Sequence, residues 1–192
     1  FLFNTLNAIN AHVRLGEAEQ AGGMIQYLSR FLRHTLENDT VEDVTLSEEL
    51  DTLMLYLSIE RARFGDRLQL LMDIAPDAGD ALVPALLLQP IVENAMKYAI
   101  APYEEGGTVN IRARVEGGQL VLQVLDTGPG MSEEVHDSRH GIGLSNTLER
   151  LRALYGTAFE FRTDNRLPTG LTVTIRLPLR SATRGGELRE AG

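Results

Sequence analysis

Leu88-Gln89-Pro90-Ile91-Val92-Glu93-Asn94-Ala95-Met96-Lys97-Tyr98-Ala99 is the stretch on which the reading of this chain turns. Pro90 suits a first helical turn, where its missing N–H removes a donor that would lack a partner anyway. At about 100° per residue, Glu93, Asn94 and Lys97 fall within an arc of roughly 100°. Leu88, Ile91, Val92, Ala95 and Ala99 gather on the opposite side, which can lie on a sheet. A carboxylate, an amide and an ammonium on one face are groups that a magnesium–polyphosphate needs, since magnesium takes oxygen ligands and keeps waters and phosphates in its shell. A helix with a merely solvated polar face has the same pattern, so the stretch alone does not make a site.

Two glycine-rich segments downstream change that. Alternation predicts a strand over Thr108–Val115, a tight turn at Glu116-Gly117-Gly118-Gln119 and a partner strand over Leu120–Leu125. The chain then enters Asp126-Thr127-Gly128-Pro129-Gly130. A carboxylate at a strand end can accept a hydrogen bond from the exocyclic amine of adenine, and Gly128 and Gly130 let a flat ring lie against main chain. Gly141-Ile142-Gly143-Leu144-Ser145-Asn146 runs into a predicted helix through Leu154, whose free N-terminal N–H groups suit phosphates. Between the glycine segments, Ser132–His140 is almost devoid of apolar residues and predicts a mobile lid. Each glycine motif alone is weak. Three motifs in this order, on a helix, a strand end and a second helix start, form a strong signal for a nucleotide.

Upstream the pattern is helical. Leu2, Leu6, Ile9 and Val13 recur at helical spacing, Gly16 interrupts, and a second helix is predicted from about Glu17 to Leu36 with Ile25, Leu28, Leu32 and Leu36 on one face. Such a hairpin is the usual unit of a dimeric bundle; the alternative is a monomeric helical layer folded onto the second domain. Thr45-Leu46-Ser47-Glu48 has the spacing of a capping box. It opens a third helix to about Phe64, with Leu46, Leu50, Leu53 and Leu57 as its buried stripe. Gly65-Asp66 ends that helix and Arg67–Ala75 turns to strand periodicity, followed by a loop over Pro76–Pro84. Phe159–Thr163 and Leu171–Leu177 are predicted to close a mixed sheet. The expected organisation is α+β: a helical dimerisation region over 1–64, an α/β-sandwich nucleotide-binding domain over 65–180, and a flexible tail over 181–192.

The totals narrow the partners. The chain has 192 residues, a formal net charge of −9 and no cysteine. That charge argues against a nucleic-acid partner but not against a nucleotide, which helix N-termini and magnesium bind locally. Without cysteine there is no disulfide and no thiolate metal site, which is compatible with a reducing compartment. The longest apolar run, Ala81–Val92, is too short to span a membrane and contains two prolines. Phe1-Leu2-Phe3 has no features of a signal peptide. The expected location is cytoplasmic. The chain begins without Met and inside an amphipathic pattern, so it is expected to be a piece of a longer protein, whose membrane anchoring is left open.

With these residues in view, the sequence resembles the GHKL ATP-binding superfamily, the group of DNA gyrase, the ninety-kilodalton heat-shock chaperone, histidine kinases and mismatch-repair MutL. Asn94 lies in what resembles the N box, Asp126–Gly130 the first glycine box and Gly141–Asn146 the second. One branch stands out. Phe1-Leu2-Phe3-Asn4-Thr5-Leu6-Asn7 looks like the segment following the phosphoacceptor in LytS-type sensor histidine kinases. Tyr56–Leu68 is similar to that family's signature before the catalytic domain, and Leu87–Ala95 to its N box.

The resemblance implies a Bergerat-type ATP-binding fold and a kinase that moves the γ-phosphoryl of Mg-ATP to a histidine and then to an aspartate of a response-regulator receiver domain. It implies a homodimer formed through the leading helices. It makes Asn94 the magnesium ligand, Lys97 and Tyr98 nucleotide contacts, and Asp126 the adenine reader, with Gly128 and Gly130 shaping the pocket. Gly141, Gly143, Leu144 and Asn146 would border the phosphates beneath a short lid. Glu93 would assist the acceptor or the metal shell. The family pattern Pro-His-Phe-Leu-Phe-Asn places the acceptor histidine immediately before Phe1, outside this sequence.

His12 and His34 lack the family's flanking residues and read as ordinary helix residues; His136 and His140, four apart, read as part of a solvated lid more readily than as a zinc site. The arginines of Glu60-Arg61-Ala62-Arg63 read most simply as helix-surface ion pairs, with a functional role at the domain junction as the alternative. Two rivals remain: a GHKL ATPase or anti-sigma-type kinase, which the leading helices oppose, and a degenerate dimerisation module, which intact Asn94, Asp126 and glycine boxes oppose.

Overall fold

Helix α1 (Leu2–Leu15) stops at Gly16, α2 (Ala18–Glu37) returns beside it, and α3 (Leu46–Phe64) packs across both. In this computed structural model the described residues are 1–37, 43–131, 142–181 and 189–190. The expected lid, Ser132–His140, and Gly141 lie outside them. The capping box at the start of α3 forms in full: Thr45 Oγ1 accepts from the Glu48 N–H at 3.3 Å, and Glu48 Oε2 accepts from the Thr45 N–H at 2.8 Å. Ile9, Met24, Leu28, Phe31, Leu50, Leu53 and Leu57 are buried between the three helices. Leu2, Phe3, Leu6, Val13 and Ile25 stay exposed, Phe3 at 85%. One chain hides only part of the apolar stripe.

After the turn at Gly65, five strands form one mixed sheet in the order β2 (Leu68–Ile74), β4 (Gly107–Glu116), β5 (Gln119–Asp126), β7 (Leu171–Pro178), β6 (Glu160–Asn165). Only the β2–β4 pairing is parallel. Val109, Ile111 and Ala113 alternate with half-buried residues along β4, as a sheet with one covered face requires. The covering comes from α4 (Gln89–Ala95) and α5 (Ile142–Tyr155), whose Ile91, Val92, Leu144 and Leu151 join the same core.

Three expectations need correction. Pro76–Pro84 is not all loop: β3 (Leu82–Pro84) pairs antiparallel with β1 (Asp43–Thr45) ahead of α3. The helix through Asn94 does not stay regular to Ala99; a π turn spans Met96–Ile100, closed by the Ala101 N–H on the Met96 carbonyl at 2.9 Å. The wider turn buries Met96, Ala99 and Ile100 together while leaving Lys97 and Tyr98 exposed. Within the expected tail, β8 (Arg180–Ser181) pairs with β9 (Arg189–Glu190); residues 182–188 and 191–192 lie outside the described ones. Among the described residues, no helix is long and apolar enough to cross a membrane.

The helical layer is fastened to the sheet layer through the segment that launches α4. Glu49 of α3 is 3% exposed, and its two carboxylate oxygens accept the N–H groups of Leu86 at 2.7 Å and Leu88 at 2.8 Å. Arg150 of α5 donates to the Ala85 carbonyl at 2.5 Å, and Leu46 and Ser47 donate to the Ala81 and Gly79 carbonyls. Leu86 is held at φ 58, a conformation that leucine rarely adopts. Burial pushes the Glu49 carboxyl up, opposed by the backbone donors and by the Arg150 charge. Replacing Glu49 by Ala orphans one buried N–H group, that of Leu88, and one half-buried, that of Leu86. The expected loss is about 2–4 kcal/mol of unfolding free energy, measured by urea denaturation. Glu49→Gln, which keeps one acceptor oxygen, is expected to lose less; equal stability of Glu49→Ala and wild type would contradict the fastening.

Candidate functional site

β5 ends on Asp126 because the β4–β5 hairpin is in register from its turn: Glu116 faces Gln119 and Val109 faces Asp126. The carboxylate is 8% exposed. Its Oδ1 accepts the Gly128 N–H at 2.8 Å and the Leu171 N–H at 3.2 Å. Both donors fall on one oxygen, and Asp126 lines the adjoining cavity. Burial pushes the carboxyl up from its ordinary range, and the two backbone donors and the Arg166 charge oppose it. Two glycines permit this packing. A Cβ on Gly128 would lie 2.6 Å from the Ala99 Cβ; one on Gly170, at φ +116, would lie 2.2 Å from the Asp126 carbonyl oxygen.

The cavity beside Asp126 has a volume of about 260 Å³. Ile91, Ala95, Ala99, Val124, Leu144 and Val173 give it apolar walls, and Asn94, Tyr98, Thr163 and Gly130 also line it. Apolar walls with a few convergent polar groups are the usual form of a small-molecule site. Asn165 clamps the loop at its rim, accepting the Met131 N–H and donating to the Met131 carbonyl, each at 2.7 Å.

A second cavity, of about 410 Å³, shares Asn94 and Tyr98 with the first. Glu93, Lys97, Pro90 and Gly143 form one side; Phe1, Asn4, Tyr56, Glu60 and Arg63 form the other. The Asn94 amide makes no hydrogen bond among the described residues and stands where the two cavities meet. Glu93 Oε1 accepts from the Gln89 side chain at 2.8 Å, and the Lys97 ammonium lies 4.8 Å from the centre of the Tyr98 ring. Burial raises the Tyr56 hydroxyl well above its ordinary range, with the Glu60 and Glu93 charges adding to it. Burial also raises the Glu60 carboxyl, which Arg63 opposes and Glu93 reinforces.

Most of the residues singled out from sequence therefore come together. Asn94, Tyr98, Asp126, Gly130 and Leu144 line the first cavity, Glu93, Lys97 and Gly143 the second, and Gly128 packs under the first. Asn146 does not join them: it is exposed and lines neither cavity. Gly143 sits inside the first turn of α5, not ahead of it, because the helix begins at Ile142. Gly141, His136 and His140 lie outside the described residues. Glu60 and Arg63 are not a surface pair, since Glu60 is 2% exposed. Thr163 of the first cavity went unread; its only sequence signal was the strand periodicity around it. The helical wall of the second falls in the two segments singled out by resemblance, Phe1–Asn7 and Tyr56–Leu68, without a cavity being expected there.

Comparison with known proteins agrees with this geometry. The model of the family described as histidine kinase matches residues 1–68, and that described as histidine kinase-, DNA gyrase B-, and HSP90-like ATPase matches residues 79–181. The sensor histidine kinase BtsS of Escherichia coli (strain K12) is 38% identical over 180 residues, covering 94% of this chain and 31% of that protein. The sensor protein LytS of Staphylococcus haemolyticus is 33% identical over 190 residues, covering 93% of this chain and 32% of that protein. The chain thus spans about a third of the length of the curated relatives it matches. The catalytic domain of histidine kinase ThkA has the same fold, with a TM-score of 0.57 at 19% identity over 71% of this chain and 95% of that one. The second of these family models covers more than half of the chain, and the chain belongs to the histidine kinase-, DNA gyrase B-, and HSP90-like ATPase family.

Proposed function

We propose that the chain is the kinase core of a cytoplasmic portion of a sensor histidine kinase, with residues 1–64 as the dimerisation and phosphotransfer region and 65–180 as the ATP-binding domain. The observation that supports the nucleotide reading is the Asp126 carboxylate: backbone donors fall on Oδ1, Asp126 lines an apolar-walled cavity of about 260 Å³, and Oδ2 is left for a base. That oxygen accepts the exocyclic amine of adenine. The uncommitted Asn94 amide, with Glu93 beside it, fits a magnesium ion. Among the described residues no three or more acidic or histidine side chains cluster as a metal cage, which suits an ion held largely by phosphates. Magnesium supplies charge neutralisation for the polyphosphate.

In the proposed reaction the bond from the γ-phosphorus to the bridging oxygen breaks, and ADP leaves with that electron pair. A P–N bond forms on the imidazole of a histidine that the family pattern places just before Phe1. Glu93, facing the second cavity, takes the imidazole proton or orders the metal shell. The protein's own contribution is position and charge, as phosphoryl transfer needs little covalent help. The phosphohistidine then passes its phosphoryl to an aspartate of a response-regulator receiver domain. A second copy of the chain covers the exposed stripe of Leu2, Leu6, Val13 and Ile25.

Asp126→Asn puts an amide where an acceptor-only carboxylate is needed, and is expected to weaken ATP binding by about 1–3 kcal/mol in calorimetric titration. Because burial raises the Asp126 carboxyl, wild-type affinity is expected to fall as pH drops through a value above the ordinary aspartate range, and the Asn variant is expected to lose that dependence. Wild-type affinity in Asp126→Asn would remove adenine from this position. In the full-length parent, labelled ATP is expected to give an acid-labile, base-stable phosphate on the histidine preceding Phe1; label on serine would favour an anti-sigma-type kinase instead. The parent's kinase portion is expected to be a dimer by light scattering, and charged substitution at Leu6 and Val13 is expected to shift it toward monomer. A monomer before substitution would reject the helical seam.

A further inference from the structure

The second cavity has a wall that the proposed reaction leaves unused. Tyr56, Glu60 and Arg63 project into it from the last two turns of α3, and Phe1 and Asn4 from the first turn of α1. Aromatic packing holds this wall in place: the Phe1 ring lies 5.0 Å from that of Tyr56 and 5.4 Å from that of Phe31. Arg63 is fixed in two ways. Its Nη1 donates to Glu60 Oε1 at 3.0 Å, and its guanidinium carbon lies 4.2 Å from the centre of the Phe64 ring. It makes no other hydrogen bond among the described residues, so most of its N–H donors remain available. Its side chain is 24% exposed, and Glu60 beneath it is 2% exposed.

A pair that served only the helix surface would need neither a buried carboxylate nor a cavity in front of it. Burying Glu60 is costly, and Arg63 is the cation that offsets the cost. The result is a guanidinium held from behind and open in front, facing Lys97 across a cavity that adjoins the adenine pocket at Asn94. Glu93 Oε1 accepts from Gln89 and its carboxylate keeps its charge, so Arg63 and Lys97 share the cavity with one anionic side chain of α4. A planar fork of N–H donors suits paired phosphate oxygens better than an ammonium does.

We propose that Arg63, oriented by Glu60, binds the terminal phosphate of the nucleoside triphosphate. The inference rests on the nucleotide site at Asp126 and adds to it that the helical region itself distinguishes a triphosphate from a diphosphate. A base seated at Asp126 with phosphates running past Asn94 leads from the first cavity into the second, where Arg63 stands on the α3 wall for the terminal phosphate. A diphosphate ends short of Arg63. The contact exists before transfer and is absent after it, so it ties the α3 wall to the nucleotide in one nucleotide state only.

Calorimetric titration of the 192-residue chain with magnesium and either ADP or the β,γ-imido analogue of ATP tests this. Wild type is expected to bind both. Arg63→Gln is expected to lose about tenfold in affinity for the triphosphate analogue and to keep its ADP affinity within about twofold. Glu60→Gln is expected to lie between, since Arg63 keeps its charge but loses its anchor. As a readout that does not depend on a variant folding, phenylglyoxal labelling of wild type followed by mass spectrometry is expected to show Arg63 protected by the triphosphate analogue and not by ADP. An unchanged ratio of triphosphate to diphosphate affinity in folded Arg63→Gln, or equal protection by the two nucleotides, overturns the inference and leaves the adenine site standing. Wild type that binds neither nucleotide overturns the adenine site itself.

Discussion

One carboxylate determines where the helix bearing Asn94 begins. Glu49 reaches from α3 to the N–H groups of Leu86 and Leu88, and no other side chain among the described residues supplies both acceptors. The leader it grips contains a leucine in the left-handed region, a conformation that persists only where the surroundings over-determine it. Arg150 holds the carbonyl of Ala85 from the opposite side, so α5 and α3 grip the same segment. The start of α4, and with it the placement of Glu93, Asn94 and Lys97, depends on a contact between the helical layer and the sheet layer. The two parts meet through buried polar groups whose loss costs stability.

The cavity beside Asp126 follows a different logic. It is built into the sheet, where Asp126 is at the end of a buried strand and its neighbours are main-chain N–H groups. Filling Oδ1 from the backbone fixes the rotation of the carboxylate, so Oδ2 has one direction in which to accept. Ala99 and Gly128 approach within side-chain distance of each other, and their closeness sets the depth of the pocket floor. In the proposed reading the helix wall supplies metal and phosphate chemistry, while the sheet supplies recognition of the base.

Much of this was legible in the sequence, for physical reasons that differ from residue to residue. Leu46, Leu50, Leu53 and Leu57 announced α3 because a buried stripe must repeat at 3.6 residues, and the Thr45–Glu48 box marked its first turn. Asp126 was legible because a charged residue at the end of an apolar strand is costly without a purpose. The π turn at Met96–Ile100 was not, since nothing local distinguishes it from a regular turn; it exists so that Ala99 and Ile100 can both reach the core. The β1–β3 pairing escaped because it joins three-residue strands nearly forty residues apart. The Glu60–Arg63 pair was seen as a helix-surface pair, because spacing along a helix says nothing about which neighbour covers it. Asn146 is exposed and lines neither cavity, whereas its neighbours Leu144 and Gly143 each line one.

The hairpin that carries Asp126 works as a gauge. Gly117 and Gly118 make the bend, both with positive φ, and from there the strand counts eight residues, Gln119 to Asp126, against Val109–Glu116. Successive side chains alternate between faces, so inserting or deleting one residue anywhere in that count would turn the carboxylate to the opposite side of the sheet. Such a change would leave composition, hydrophobicity and both glycine boxes untouched. Natural length variation in this protein therefore has no room along β5, where arithmetic alone decides whether the base has anything to meet.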